Sequence, residues 1–388
     1  VTSALLAVLF LATGVGFVGY LQPVAAVKPS LIAIPSETVA PLSLPWPSTG
    51  QAAVGAAGFG VVDQYQTQRP APIASTAKII TALVVLEAKP LQPGQQGPNI
   101  TFTAQDEDIY NSYISQGGSV YPVTAGESIS QRQAMEALLI MSANNIADML
   151  ATWAYGSMDS YVAAANEYAA KHGMETMTIA DASGFAPKTA ATASDLVMAG
   201  ELLMRQQLLA SIVSQKFLTI PGIGRVPSTN TQLGNGVVGI KTGNTDEAGG
   251  CFVIAITHEV RESETVTIIA AVMGAKDVPT AMAAARAIAQ DSRSGFAAST
   301  LVERGQTIAR YELPWGETLT ATAQQDLVVT RWLPESTSPV AELQSVGGEL
   351  TGGTVLGNVS VADTQVPVVA ATAVDGPGLL WRAFGRYL

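Results

Sequence analysis

Ile73-Ala74-Ser75-Thr76-Ala77-Lys78-Ile79-Ile80-Thr81-Ala82-Leu83-Val84-Val85-Leu86-Glu87 is an apolar run with a hydroxyl and an amine near its head. The spacing of its apolar side chains predicts a helix over Ala77–Leu86. Positions three apart on a helix share a face, so Ser75 and Lys78 can meet. A serine hydroxyl is a poor nucleophile at neutral pH and needs a base within hydrogen-bond reach. A lysine at its ordinary pKa of about 10.4 is protonated and cannot serve. Burial, with a second cation nearby, disfavours the ammonium and frees the amine. A serine in a helix's first turn also sets a backbone N–H and the positive dipole end beside a developing oxyanion.

Two further short motifs follow in order. Ser142-Ala143-Asn144 ends the apolar run Glu136–Met141 and begins another helical stretch. Lys241-Thr242-Gly243 ends the strand-like run Gly236–Ile240. Lys241 is the candidate second cation, and Thr242 offers a hydroxyl to a carboxylate. Gly243 lets a substrate backbone approach a strand edge closely. Each motif alone is common at helix starts and strand ends. A second S-x-N copy, Ser228-Thr229-Asn230, lies in a loop rich in Pro, Gly and Asn, and there Asn230 reads as a turn residue. The Ser142 copy follows a buried-looking helix that can aim it into a cleft. Order and context together give the three motifs their weight.

That combination resembles the serine-type D-alanyl-D-alanine carboxypeptidases, the low-molecular-weight penicillin-binding proteins. Besides the stretch at 73–87, ALLIMSANNIADMLA (137–151), NEYAAKHGMETMTIADASG (166–184), GIKTGNTDEAGGCFVIA (239–255) and IIAAVMGAKD (268–277) look like that family. The likeness runs over about residues 53–296. RYELPWGETLTATAQQDLVVT (310–330) is a looser match to the small β-domain of many members. The resemblance implies an α+β fold. Its catalytic domain is of the β-lactamase and penicillin-binding-protein type, a helical cluster plus a mainly antiparallel sheet, and a small all-β domain follows.

The resemblance also implies roles. Ser75 attacks the D-Ala-D-Ala carbonyl to form an acyl-enzyme, and Lys78 takes its proton. Ser142 relays a proton to the leaving nitrogen near Lys241. Asn144 holds the substrate backbone and Lys78. Lys241 and Thr242 bind the terminal carboxylate, with Gly243 leaving room for the substrate. The N–H groups of Ser75 and Asn244 form the oxyanion hole. No metal or other cofactor is implied. One departure stands out. Many members carry an arginine just after the Met-Gly of the late strand, but here Met273-Gly274 is followed by no arginine before Arg286. Two readings follow: Arg225, ahead of Lys241, supplies that charge, or the carboxylate site is weaker.

Composition narrows the alternatives. Lys plus Arg is 20 against 31 Asp plus Glu, a net charge of −11. This argues against a nucleic-acid partner, which needs a basic face. The single cysteine, Cys251, excludes an internal disulfide framework and a multi-cysteine zinc site, and reads as a small core residue. His172 and His258 have no motif partners for a Ser-His-Asp triad.

Five regions are expected. Residues 1–27 form a membrane anchor or signal peptide, and 28–50 a linker or surface strap. Residues 51–298 form the catalytic domain, 299–372 a small β-rich domain and 376–388 a short amphipathic helix. Ala4–Ala26 carries no charge. Ala4–Leu21 as a helix is about 27 Å long, near the thickness of a bilayer core. An uncleaved anchor is preferred to cleavage after Val24-Ala25-Ala26. On a terminal helix Leu380, Phe384 and Leu388 share a face, which suits either a membrane interface or packing on the neighbouring domain.

The sequence therefore predicts an extracytoplasmic, membrane-attached D-alanyl-D-alanine carboxypeptidase. Its partners are peptidoglycan stem peptides and β-lactam antibiotics. A DD-endopeptidase or transpeptidase would use the same residues, as would a penicillin-binding sensor that does not turn over. A common serine β-lactamase is disfavoured, because no E-x-x-L-N run lies between Ser142 and Lys241.

Overall fold

The computed structural model describes residues 13–36 and 39–385. The start of the expected membrane segment, 1–12, and the end of the terminal helix, 386–388, lie outside them. The chain divides into two compact units, Leu42–Phe296 and Val1–Pro41 with Ala297–Leu388.

The larger unit is built on five antiparallel strands: β1 (Gln51–Ala56), β2 (Gly60–Tyr65), β3 (Val237–Thr245), β4 (Gly249–Arg261) and β5 (Glu264–Ala275), in the order β3-β4-β5-β1-β2. Buried apolar residues follow one another without alternation in the middle of β4 and β5, because both sheet faces are covered there. Cys251, Val253 and Ala255 of β4 join Ala53, Ile269 and Ala271 in the core shared with the helices. Phe252, Ile254 and Ile256 are equally buried and point the other way. Helix α8 (Val278–Asp291) packs on β4 and β5. Asp277 caps it by accepting the Thr280 N–H, with proline in its first turn. Strand β3 pairs only with β4 and so forms one edge of the sheet.

The helical layer comprises α1 (Lys78–Ala88), α2 (Ala104–Ser115), α3 (Gln131–Ile140), α4 (Asn144–Tyr155), α5 (Met158–Lys171), α6 (Ala193–Arg205) and α7 (Gln207–Val213). The apolar run Ala134–Trp153 is two helices, α3 and α4, broken at 141–143. Ser194–Ser214 is likewise two, α6 and α7, which meet at 107°. Capping boxes at Ser130/Gln133 and Thr192/Asp195 start α3 and α6. Helix α2 buries no residue, so it has no apolar stripe by which its sequence could reveal it.

The second unit holds a six-stranded antiparallel sheet in the order Ser30–Leu31, Thr307–Glu312, Thr318–Ala323, Thr364–Ala370, Val355–Val361, Val340–Leu343. It encloses its own core, including Ile308, Leu319, Leu356 and Val368. A turn in which Gly305 has φ +83° separates the strand Phe296–Val302 from Thr307–Glu312. Within 28–50, Ser30–Leu31 is an edge strand rather than free linker, paired with Arg310 and Ala309. The terminal helix Leu379–Phe384 leaves Leu379 and Leu380 exposed, while the Trp381 indole donates to Pro314 O and packs edge-on against Trp315. Among the described residues, no single helix is long and apolar enough to cross a membrane.

Candidate active site

Ser75 lies in a 3-10 turn, Ala74–Ala77, that runs directly into α1 at Lys78. In that tighter helix residues i and i+3 eclipse, which aligns the two side chains more closely than an α-helical turn would. Lys78 Nζ stands 2.8 Å from Ser75 Oγ, 2.7 Å from Asn144 Oδ1 and 2.7 Å from the Ser183 carbonyl. An ammonium has three N–H donors, and all three are used. A neutral amine has two and a lone pair, so the Ser75 contact must then reverse, with the hydroxyl donating to nitrogen.

Lys78 is fully buried, and burial lowers its pKa to about 7, against the opposing charges of Asp181 and Asp148. Burial, the first of the two causes expected from the sequence, is the dominant one. Lys241 is itself fully buried and donates to the Thr242 carbonyl at 2.9 Å. Burial first, and the charge of Lys78 second, push it well below the ordinary lysine range.

The start of the nucleophile's turn is held by backbone packing. Ala74 has φ +47°, a region that suits few L-residues. Gly184, at φ +75°, lies against it, and a Cβ there would sit 1.9 Å from Ala74 O. Gly184→Ala is therefore expected to destabilise the fold by at least about 2 kcal/mol, through both the clash and the φ strain. A fall in urea midpoint with slower Ser75 acylation checks this.

Gly243 has a more definite role than room for substrate. A Cβ there would sit 3.0 Å from both Ile73 O and Ser75 N. Its absence keeps the front of the Ser75 N–H open where β3 passes the 3-10 turn. Asn244 follows at an exposed position on the same edge strand.

Ser142 is buried in the α3–α4 break with φ +64°. The break is pinned by Ala143 N–H to Ala137 O (3.1 Å) and Asn144 N–H to Ser119 O (2.8 Å). Strain of this kind persists where surrounding bonds over-determine it. The hydrogen-bonded cluster of the described residues joins Ser75, Lys78 and Asn144; Ser142 adjoins it in the chain without a bond to it.

The structure corrects the assignment of the replacement arginine. The Arg225 guanidinium lies on an exposed hairpin, 3.3 Å from the Phe217 ring centroid. The Thr242 hydroxyl instead donates to Thr229 Oγ1 at 2.8 Å. Thr229 belongs to the loop dismissed as a turn. Asn230 does make that turn, accepting the Gln232 N–H, but its neighbour reaches the site. Tyr113, Asp148, Asp181 and Ser183 were also missed. Of these only Asp148, four residues beyond Asn144 on one helix, left a signal in the spacing.

A helical layer and an antiparallel sheet holding serine, lysine and asparagine beside an edge strand define a serine acyl-enzyme hydrolase of the penicillin-binding type. The family profile described as D-alanyl-D-alanine carboxypeptidase matches residues 55–277, more than half of the chain, and the chain belongs to that family. Among its relatives, D-alanyl-D-alanine carboxypeptidase DacD of Salmonella typhimurium is 23% identical over 346 residues, 82% of this chain and 84% of that one. DacC of Escherichia coli is 29% identical over 208 residues, 52% of this chain and 50% of that one. The fold matches penicillin binding protein 5 of Haemophilus influenzae with a TM-score of 0.61 at 19% identity, covering 87% of this chain and 99% of that one. It also matches DacD of Francisella tularensis with a TM-score of 0.59 at 18% identity, covering 92% and 98%. The expected α+β architecture and the serine-type peptidase class both hold.

Proposed function

We propose that this chain removes the terminal D-alanine from peptidoglycan stem peptides by way of a Ser75 acyl-enzyme. The observation that carries this reading is the 2.8 Å contact between Ser75 Oγ and a buried amine that titrates near neutrality. An extended peptide adds to the open edge of β3, as strands add to free sheet edges. Neutral Lys78 accepts the Ser75 proton as Oγ bonds to the penultimate D-alanine carbonyl carbon. The oxyanion faces the Ser75 N–H, in the space left by Gly243, and the Asn244 N–H. The C–N bond then breaks as the Lys78 ammonium gives its proton, by way of the Ser142 hydroxyl, to the leaving nitrogen, and the amine is neutral again. Water attacks the ester and gives a proton to the neutral Lys78, which returns it to Ser75 Oγ as the ester C–O bond breaks and the shortened peptide leaves. A β-lactam enters by the same acylation.

Thr242 and Thr229 supply paired hydroxyls for the terminal carboxylate beside Lys241, in place of an arginine. A hydrogen bond to a charged group contributes about 1.5–3 kcal/mol, so Thr229→Val is expected to cut kcat/KM for carboxylate-terminated peptides by roughly 10–100-fold. The fall should appear mainly in KM. An equal loss on an amide-terminated analogue would refute this use of Thr229.

The deciding assay is D-alanine release from a pentapeptide mimic. Penicillin labelling without D-alanine release would instead assign a sensor. The reaction takes place on the outer face of the cell membrane, where the substrate lies, with the uncharged N-terminal segment as anchor. Recovery of the full-length chain from salt-washed membranes supports that placement, and recovery of a soluble chain starting after residue 26 contradicts it.

A further inference from the structure

Behind Lys78 lies a set of polar groups that none of these steps uses. Asp148 stands one turn beyond Asn144 on α4, so the two share a face. Tyr113 of α2 donates its phenol O–H to Asp148 Oδ2 at 2.9 Å, and the phenol oxygen is 3.3 Å from Ser183 Oγ. The Ser183 hydroxyl donates to Asp181 Oδ2 at 2.7 Å, while the Ser183 carbonyl accepts from Lys78 Nζ at 2.7 Å. An unbroken series of contacts thus leads from Asp148 through Tyr113 and Ser183 to the amine. Edge-on packing of Tyr113 against Phe185, 5.6 Å between centroids, fixes the phenol's direction. No ion pair among the described residues engages Asp148. A carboxylate desolvated without a direct ion pair is costly, and packing alone would be served better by an apolar side chain.

We infer that Asp148, oriented by Tyr113, is a positioning residue for the base: it steadies the Ser183 carbonyl against Lys78, and its charge sets how firmly the amine holds its proton. The inference rests on Lys78 being the base in the proposed reaction. The charged and titratable groups around the amine are Asp181 on the 181–184 turn, Asp148 on α4, Tyr113 on α2 and Lys241 on β3. Tyr161 of α5 lies one step further off, bonded to Thr81. Asp148 and Asp181 both favour the ammonium against burial. Burial, joined by the charge of Asp181, pushes the Asp148 carboxyl up to about 6, while the Tyr113 bond and the charge of Lys78 pull it down. Asp148 is therefore mainly ionised at neutral pH and strengthens proton binding at Lys78.

The test is the rate of acylation by a fluorescent penicillin, followed from about pH 5 to about pH 9. Removing the charge with Asp148→Asn keeps the side-chain shape and a hydrogen-bond acceptor for Tyr113. The acid limb is expected to move down by about half a pH unit or more, with the high-pH plateau within a few-fold of the parent. Tyr113→Phe removes the bond that keeps Asp148 ionised, so it moves the limb the same way. The double variant moves it no further than Asp148→Asn alone. An unmoved limb with a uniform fall in rate assigns these residues to packing and overturns the inference, as does a limb that moves up. Near-ultraviolet circular dichroism checks folding, and Tyr113→Phe carries the test if Asp148→Asn does not fold. Lys78→Ala separates the two levels. If it acylates normally, the assignment of the base has failed. If it is inert while the Asp148→Asn limb stays in place, only the positioning role is lost.

Discussion

Ser75→Ala loses covalent labelling by a fluorescent penicillin completely while remaining folded. The loss is total because it removes the atom that becomes acylated, and no neighbouring group supplies a substitute bond. Ser142 and Ser183 are nearby in the site's architecture but are not equivalent. The Ser183 hydroxyl is committed to Asp181, and Ser142 has no bond to the amine in the cluster. Lys78 touches one side-chain hydroxyl, that of Ser75. Deleting the hydroxyl removes one hydrogen bond, costing about 1 kcal/mol, so the unfolding midpoint shifts only slightly. Mass spectrometry of the penicillin-treated variant reads the outcome, and an adduct at any other serine would overturn the assignment.

Lys78→Ala lowers the acylation rate by about 10²–10⁴-fold, the usual contribution of a positioned base. The parent's pH profile gives the sign independently. The amine is free above its pKa of about 7, so acylation climbs as pH rises through that value and then levels. Below it the rate falls about tenfold per pH unit, because only the neutral fraction reacts. The alanine variant lacks this limb. Lys78→Arg does not rescue it, since a guanidinium stays protonated throughout this range. A parent profile that stays flat across neutrality, or an alanine variant that keeps the limb, would transfer the base role to another group.

The parts of the site that were legible in the sequence are those encoded by short spacing. Ser75 and Lys78 are three apart, Ser142 and Asn144 two apart, and Lys241, Thr242 and Gly243 consecutive, so local geometry already groups them. The electrostatics were not legible in that way. Lys78 owes its lowered pKa to the depth of its surroundings, and the carboxylates opposing it come from positions 148 and 181. The carboxylate partner Thr229 was hidden by a loop composition that also fits an ordinary turn, which Asn230 does form. Arg225 looked suitable by its place in the chain, yet the hairpin directs it onto Phe217. In the fold, β4 and β5 announce themselves through continuous apolar runs. Strand β1, Gln-Ala-Ala-Val-Gly-Ala, has weak intrinsic strand preference and is specified by its pairing with β5. The Ser30–Leu31 strand is too short for any periodicity and exists through its pairing with Thr307–Glu312.

Strand β3 borders the sheet, and in many proteins such a border invites sheet-to-sheet growth between molecules. Here the 3-10 turn bearing the nucleophile lies close over that border, near enough that a single methyl group on Gly243 would crowd it. A side chain at that one position would therefore press on the nucleophile's own amide as well as on the border of the sheet.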